Sequence, residues 1–147
     1  EVTPGRARGV ELPFEVTLGN PRTSEVLDVP LQGWIDLVEG DGTFVELKTA
    51  SKRWDAETLA LNLHLSAYSY TGMQLFRRRP ALRLDCLLKT REPKFERLTV
   101  GRSEEDDARL FCIVRDVLAA IDAGSFFPNP SWQCRDCEFR HTCPLWS

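Results

Sequence analysis

The sequence predicts an α/β protein: a β-sheet flanked by helices, followed by a short cysteine-rich tail. Three observations carry that prediction. Apolar residues alternate in two paired stretches, 33–48 and 82–100. Helical periodicity fills the segment between them and the segment after them. Three of the five cysteines then crowd together at Cys134, Cys137 and Cys143.

At 147 residues the chain is long enough for one sizeable core and a small appendage. Its 42% hydrophobic and 28% charged content is that of an ordinary globular protein. A net charge of −3 excludes a global attraction for nucleic acid, so any phosphate must be met by a local patch or by metal ions. No apolar run approaches a membrane span and no secretory signal opens the sequence, so no membrane association is expected. An odd number of cysteines, three of them clustered, points to metal ligands in a reducing cytoplasm rather than to a disulfide framework.

Val10, Leu12, Phe14, Val16 and Leu18 alternate as a first strand, with Pro13 marking an edge or bulged one. Gly19-Asn20-Pro21 ends it. Gly40-Asp41-Gly42 turns a hairpin that supplies strands two and three. From about Asp55, a candidate N-cap, to Leu75 the pattern is that of one mostly buried helix. Arg77-Arg78-Arg79-Pro80 breaks it as a solvated basic turn. Leu82, Leu84, Cys86 and Leu88 make a fourth strand, and Phe95 to Val100 returns as a fifth. Ser103, followed by four acids, starts a last helix with Asp106 in the capping-box position. Leu110, Phe111, Val114, Val117, Leu118 and Ile121 form its expected core face, and Gly124 its end.

Functional chemistry concentrates in the first hairpin. With a loop of Gly40, Asp41 and Gly42, Val38 faces Phe44 and Asp36 faces Glu46, and Lys48 shares the face of Glu46. Two carboxylates beside an ammonium can hold a divalent cation while the lysine steers a water or a phosphate oxygen. A two-residue Asp41-Gly42 loop would place Asp36 opposite Leu47 instead and break the constellation. The plain alternative is an exposed Glu–Lys ladder pair. In the tail, Cys134, Cys137 and Cys143 form C-x2-C-x5-C. Together with His141 they suit a zinc site, and as three thiolates they make most of the ligand set of a [4Fe–4S] cluster. Cys86 has the inward phase of its strand and Cys112 the polar side of the last helix, so a fourth cluster ligand is expected outside this chain.

Gly33-Trp34-Ile35-Asp36, Glu46-Leu47-Lys48-Thr49, His64-Leu65-Ser66-Ala67-Tyr68 and the three tail cysteines, in that order, resemble the RecB-like branch of the PD-(D/E)XK nucleases. That branch includes AddB and the CRISPR-associated iron–sulfur exonucleases. The resemblance runs from about Val10 to Cys143 and implies a restriction-endonuclease-like core with a mixed β-sheet over residues 1–130 and a metal-cluster tail over 131–147. It implies Mg²⁺ or Mn²⁺ held by Asp36, Glu46 and the main-chain carbonyl of Leu47, with Lys48 orienting the attacking water. His64 stands where the family's Gln-x-x-x-Tyr motif has glutamine, one turn before Tyr68, and residues 1–9 leave no room for the family's lead helix. Glu11 is read as an exposed strand residue.

The function implied is a metal-dependent deoxyribonuclease, an exonuclease or end-processing enzyme of DNA repair, recombination or foreign-DNA processing. DNA, a helicase and other repair subunits are the implied partners, and the nucleoid of the cytoplasm the implied location. The alternative is a DNA-binding or scaffolding module of the same fold with turnover lost.

Overall fold

The hairpin turn sets the register of the sheet. Gly42 takes φ +88°, a backbone conformation that costs a glycine little, and its N–H donates to the Glu39 carbonyl at 2.9 Å. The Asp41 carboxylate accepts the Thr43 N–H at 2.9 Å, and the Glu39 N–H reaches the Thr43 carbonyl at 2.9 Å. The loop is therefore Gly40-Asp41-Gly42, and Val38 pairs with Phe44.

The computed structural model describes residues 7–144. Of the sequence assigned no room for a lead helix, residues 1–6 lie outside the described range. The sheet is mixed and five-stranded, in the order β1 (Ala7–Val16), β2 (Leu31–Glu39), β3 (Phe44–Ala50), β4 (Leu82–Leu88), β5 (Lys94–Val100). Neighbours are antiparallel except β3 and β4, which run parallel because helices α1 (Ala56–Ala60) and α2 (Leu63–Phe76) form the crossover between them. Helix α3 (Glu104–Asp122) follows β5. Two compact units divide the chain, Glu1–Ile113 and Val114–Ser147. No described helix is long and apolar enough to cross a membrane.

In the first unit Leu65 and Tyr68 of α2 bury themselves against Phe44, Leu82, Leu84, Cys86 and Leu88, joined by Ile35 and Val38. Cys86 is thus core, as its phase implies. Where the sequence pattern reads as one helix from Asp55 to Leu75, two form. Asp55 caps α1 by accepting the Thr58 N–H at 2.7 Å, and Asn62 caps α2 by accepting the Leu65 N–H at 3.0 Å. Arg102 braces this break: its guanidinium donates to Leu59 O at 2.9 Å and Asn62 O at 3.1 Å, carbonyls that also accept the Asn62 and Ser66 N–H groups. The helix is also less buried than its leucines suggest. Leu61, Leu63 and Leu75 are exposed, and the buried face of α2 is built of small and polar residues around Leu65 and Tyr68.

Strand β1 is an edge strand, but its expected alternation fails at Glu11, which takes φ +48°. Val10 and Leu12, its neighbours, are exposed, whereas Val16 and Leu18 are buried. Arg79 is likewise no solvated turn residue. It donates to both carboxylate oxygens of Asp107, at 3.1 and 2.5 Å, and to Ser69 Oγ at 3.0 Å. At the start of α3 the Asp106 carboxylate accepts the Ser103 N–H at 2.8 Å, half of a capping box, while Ser103 Oγ donates to Glu105. Of the expected core face only Leu110 and Phe111 are buried, with Val117 and Ile121 half exposed. Gly124, at φ +63°, ends α3 in a Schellman turn in which the Ser125 N–H reaches Ala120 O at 2.8 Å.

Two constraints of this fold are testable. A Cβ at Gly72 would sit 2.4 Å from Pro80 Cδ and 2.6 Å from Pro80 Cγ, a rigid ring that cannot yield. Gly72→Ala should cost about 1–3 kcal/mol by urea denaturation despite its better helix propensity. On β4, Arg83 holds Glu39 through two bonds of 2.8 and 2.7 Å and Asp85 through two of 2.7 and 3.0 Å. The hydrogen bonds from Arg83 set the Glu39 carboxyl below its ordinary value of 4.5. A depressed folded pKa gives stability that is present above the unfolded value and lost as pH falls through the folded one. Glu39→Gln should therefore be less stable than the parent at pH 7, with the gap in urea midpoint closing under acid conditions.

Candidate active site

Glu46 leaves the hairpin turn on β3 and points into the protein, where it is 1% exposed. A carboxylate so placed needs partners. Its Oε1 receives the Lys48 ammonium at 2.5 Å and faces His64 Nδ1 at 2.9 Å. Its Oε2, also buried, has no hydrogen-bond partner among the described residues. Burial pushes the Glu46 carboxyl up, and Lys48, ahead of Tyr68 and His64, more than offsets it, so it lies below the usual carboxylate range. Glu46 is an anion with one oxygen that no described residue hydrogen-bonds.

Asp36 reaches the same place from β2 without a regular ladder. The pairing of β2 with β3 runs only through Val38↔Phe44 and Leu37↔Val45. At the next position the strands part, and the Asp36 carboxylate bridges them by accepting the Leu47 N–H at 2.8 Å. The Tyr68 hydroxyl fixes the other side. It accepts the Asp36 N–H at 3.1 Å, donates to the Trp34 carbonyl at 3.0 Å, and lies 3.4 Å from Asp36 Oδ1. Burial, first, and the neighbouring carboxylates raise the Tyr68 phenol well above its ordinary value, so it stays protonated.

Asp36, Glu46, Lys48, His64 and Tyr68 all line one cleft of about 510 Å³, together with Glu11, Trp34 and Leu63. The five residues singled out in the sequence are thus brought together. His64 is 65% exposed at its side chain yet holds Glu46, because the Asn62 break puts it in the first turn of α2. Sequence reasoning gave no site role to Trp34 or Glu11. The signal for Trp34 was its place two residues before Asp36, on the same strand.

The tail differs from expectation. Cys134, Cys137 and Cys143 are free thiols, and among the described residues no three His, Cys, Asp or Glu side chains are gathered to hold a metal ion. Cys134 Sγ instead accepts the Ser131 N–H at 3.3 Å and closes a local turn over Trp132–Asp136. The three thiols do not converge as a ligand set.

A mixed sheet with a helical crossover, presenting an aspartate, a buried glutamate and a lysine in one cleft, defines a restriction-endonuclease-like core. The family model of the PD-(D/E)XK nuclease superfamily matches residues 2–144, and the chain belongs to that superfamily. No curated protein matches the sequence. Solved structures that share the fold include the following two. The crystal structure of SSO0001 superposes with a TM-score of 0.52 at 18% identity, covering 95% of this chain and 61% of that one. A protein named "Putative exonuclease", from Eubacterium rectale, superposes with a TM-score of 0.57 at 11% identity, covering 90% of this chain and 51% of its own. The chain thus spans little more than half the length of these relatives.

The Tyr68 hydroxyl carries a separable load. Tyr68→Phe should keep the core packing of the ring but leave the Asp36 N–H and Trp34 carbonyl short of a partner, at a cost of about 1–3 kcal/mol in urea denaturation. An unchanged midpoint would mean that β2 holds its place without this clamp.

Proposed function

We propose that this chain is the catalytic core of a divalent-metal-dependent deoxyribonuclease of the RecB-like branch, cutting phosphodiester bonds at or near DNA ends. The observation that carries this reading is the buried, ionised Glu46, one of whose oxygens has no hydrogen-bond partner among the described residues, set in one cleft with Asp36 and Lys48. A buried anionic oxygen without a donor is costly unless a cation completes it. The donor set fits Mg²⁺ or Mn²⁺: two carboxylates and, between Glu46 and Lys48, the Leu47 carbonyl, all hard oxygen ligands. When bound, such a cation makes its water more acidic and offsets charge on a phosphate.

The chain's own residues then have distinct roles. Asp36 and Glu46 hold the cation. Lys48, with its ammonium on Glu46 Oε1, presents donors toward the cleft for the attacking water and for the non-bridging oxygens of the scissile phosphate, where negative charge grows as the nucleophile adds. His64 orients Glu46 from the other side, as the donor that stands in for an amide. Tyr68 positions Asp36 through its backbone.

The wider assignments follow the same reading: a nuclease core over 1–130 and a tail over 131–147, DNA as substrate, a helicase or other repair subunits as partners, and a nucleoid location in the cytoplasm. For the tail, Cys134, Cys137 and Cys143 would be ligands of a [4Fe–4S] cluster with a fourth from outside the chain, or of zinc with His141. The thiols as placed do not fit either group, and no step is assigned to one. Iron, sulfide and zinc analysis of anaerobically purified protein decides between them.

The test is cleavage of end-labelled single- and double-stranded DNA with Mg²⁺ or Mn²⁺. Lys48→Ala should lower the rate by about 10²–10³-fold, the scale of losing one charged donor to a transition state, while still binding Mn²⁺ by calorimetry. Glu46→Gln should lose both cleavage and Mn²⁺ binding. A parent chain that binds DNA but cleaves no better than Lys48→Ala would instead identify a binding module whose turnover is lost.

A further inference from the structure

Arg8 and Arg78 line a pocket of about 290 Å³ whose other side chains, Leu12, Val38, Phe44, Phe76 and Pro80, are all hydrocarbon. Both arginines are exposed, and neither makes a hydrogen bond or an ion pair among the described residues. Other arginines of the same unit are engaged: Arg79 and Arg83 by carboxylates, Arg102 by carbonyls. The floor of the pocket is fixed. Phe76 meets Phe44 edge to face with 6.1 Å between ring centroids, and Pro80 is packed tight against Gly72. Phe76 nevertheless stays 51% exposed, an aromatic surface left open to solvent.

Each arginine is set there by an irregularity of the backbone. Between Ala7↔Glu39 and Gly9↔Val38, strand β1 advances two residues while β2 advances one, so Arg8 is the extra residue of a bulge. A bulge re-aims the side chain it carries. Arg77 ends α2 in the left-handed region at φ +56°, an uncommon conformation for a residue with a side chain, and Arg78 follows it. The Arg78 Nη2 then lies 3.4 Å from where a Cβ on Gly42 would stand, directly over the bare hairpin turn. The acids nearest in the chain are turned to other partners. Glu39 is held by Arg83, and the Asp41 carboxylate accepts the Thr43 N–H.

Two unpaired guanidiniums beside an apolar floor fit a ligand with an apolar body and an anionic end. A nucleobase suits the floor poorly, because its edge carries several donors and acceptors that these hydrocarbon walls would leave unpaired. A long acyl chain exceeds a space at the lower limit of ligand pockets, about 300 Å³. One apolar side chain with a carboxylate on the same residue matches both. We propose that this pocket docks the C-terminal residue of a partner protein, its aromatic or branched side chain on Phe76 and Pro80 and its α-carboxylate shared by Arg8 and Arg78. A guanidinium gives a carboxylate two parallel hydrogen bonds, which fixes direction as well as affinity. The pocket shares no lining residue with the cleft of Asp36 and Glu46, so this inference stands apart from the nuclease reading. Val38 and Phe44 are nonetheless two residues from Asp36 and Glu46 on the same two strands, so a chain end docked here brings its protein next to that cleft.

The experiment is fluorescence anisotropy of the full chain with a short peptide, labelled at its N-terminus and ending in phenylalanine, as the free acid and as the C-terminal amide. It is repeated for Arg8→Ala, Arg78→Ala and Arg78→Lys. The free acid should bind saturably and the amide roughly ten- to a hundredfold more weakly, the scale of losing hydrogen bonds to a charged group. Each alanine variant should lose about tenfold for the acid, bind the amide like the parent, and melt like the parent. Arg78→Lys should recover part of the loss, since an ammonium keeps the charge without the fork. Glycine in place of the terminal phenylalanine should abolish binding, and the Gly9 and Gly42 amide resonances should shift on titration with the acid. Equal affinity for acid and amide, arginine variants at parent affinity, or no saturable binding overturns the proposal. So does decanoate or dTMP bound more tightly than the peptide, which would make the pocket an acyl-carboxylate or a nucleotide site instead.

Discussion

The site depends on one hydroxyl. Beyond Leu37↔Val45 the β2–β3 ladder ends, so backbone pairing cannot hold Asp36 beside Glu46. Tyr68, anchored in the core by its ring and 4% exposed, reaches from α2 to β2 and accepts the Asp36 N–H while its O–H donates to the Trp34 carbonyl. The ring is hydrophobic payload and the hydroxyl a positional device. The parting of the strands is itself useful. It frees the Asp36 carboxylate to bridge to the Leu47 N–H, and it opens the space in which two carboxylates face one cleft. A continuous ladder would have filled that space with paired backbone.

Glu46 shows how the electrostatics are balanced. Desolvation alone would raise its pKa, and the Lys48 ammonium is the main counterweight. Because Lys48 is two residues along the same strand, the pairing follows from strand periodicity and needs no tertiary coincidence. The ion pair uses only one carboxylate oxygen. An arginine in place of Lys48 would present a wide, planar fork that can engage both oxygens and fill the gap that a cation needs. The compact ammonium leaves the second oxygen available.

Much of this was legible in the sequence, and the reasons differ by residue. Turn chemistry places a hairpin turn at Gly40-Asp41-Gly42 but leaves a two- or a three-residue loop open; the three-residue loop forms, and with it the register that brings Asp36 and Glu46 to adjacent strands. The parting of the strands after Leu37 was not legible, since it depends on a hydroxyl from α2. Asn62 was read as an interior residue because the leucines around it continue a helical pattern. Its side chain prefers the N-cap, and Arg102, forty residues later, braces the break by donating to the Asn62 carbonyl. Glu11 was hidden for a similar reason: alternation describes an ideal strand and is blind to one residue at φ +48°. In the tail, the spacing of Cys134, Cys137 and Cys143 states which atoms are present but not where they meet. Side-chain convergence there would have to come from a bound group, not from packing of a segment whose aromatic residues Trp132 and Phe139 are exposed.

The break at Asn62 and the histidine at 64 belong together. In one unbroken helix from Asp55, residue 64 would sit in the third turn, its direction dictated by the axis of that long helix. Restarting the helix at Leu63 places His64 in the first turn, where the axis is set by the Tyr68 and Leu65 contacts with the sheet. From there Nδ1 reaches Glu46 Oε1 at 2.9 Å while most of the ring stays in solvent. With Nδ1 carrying the proton, the imidazole supplies the single donor that Glu46 needs, and Nε2 is left as an acceptor facing outward. A glutamine would supply a donor to Glu46 and a carbonyl close beside it. The histidine puts its acceptor farther off, across the ring. The exchange therefore preserves the contact with Glu46 and changes what the cleft offers at its rim.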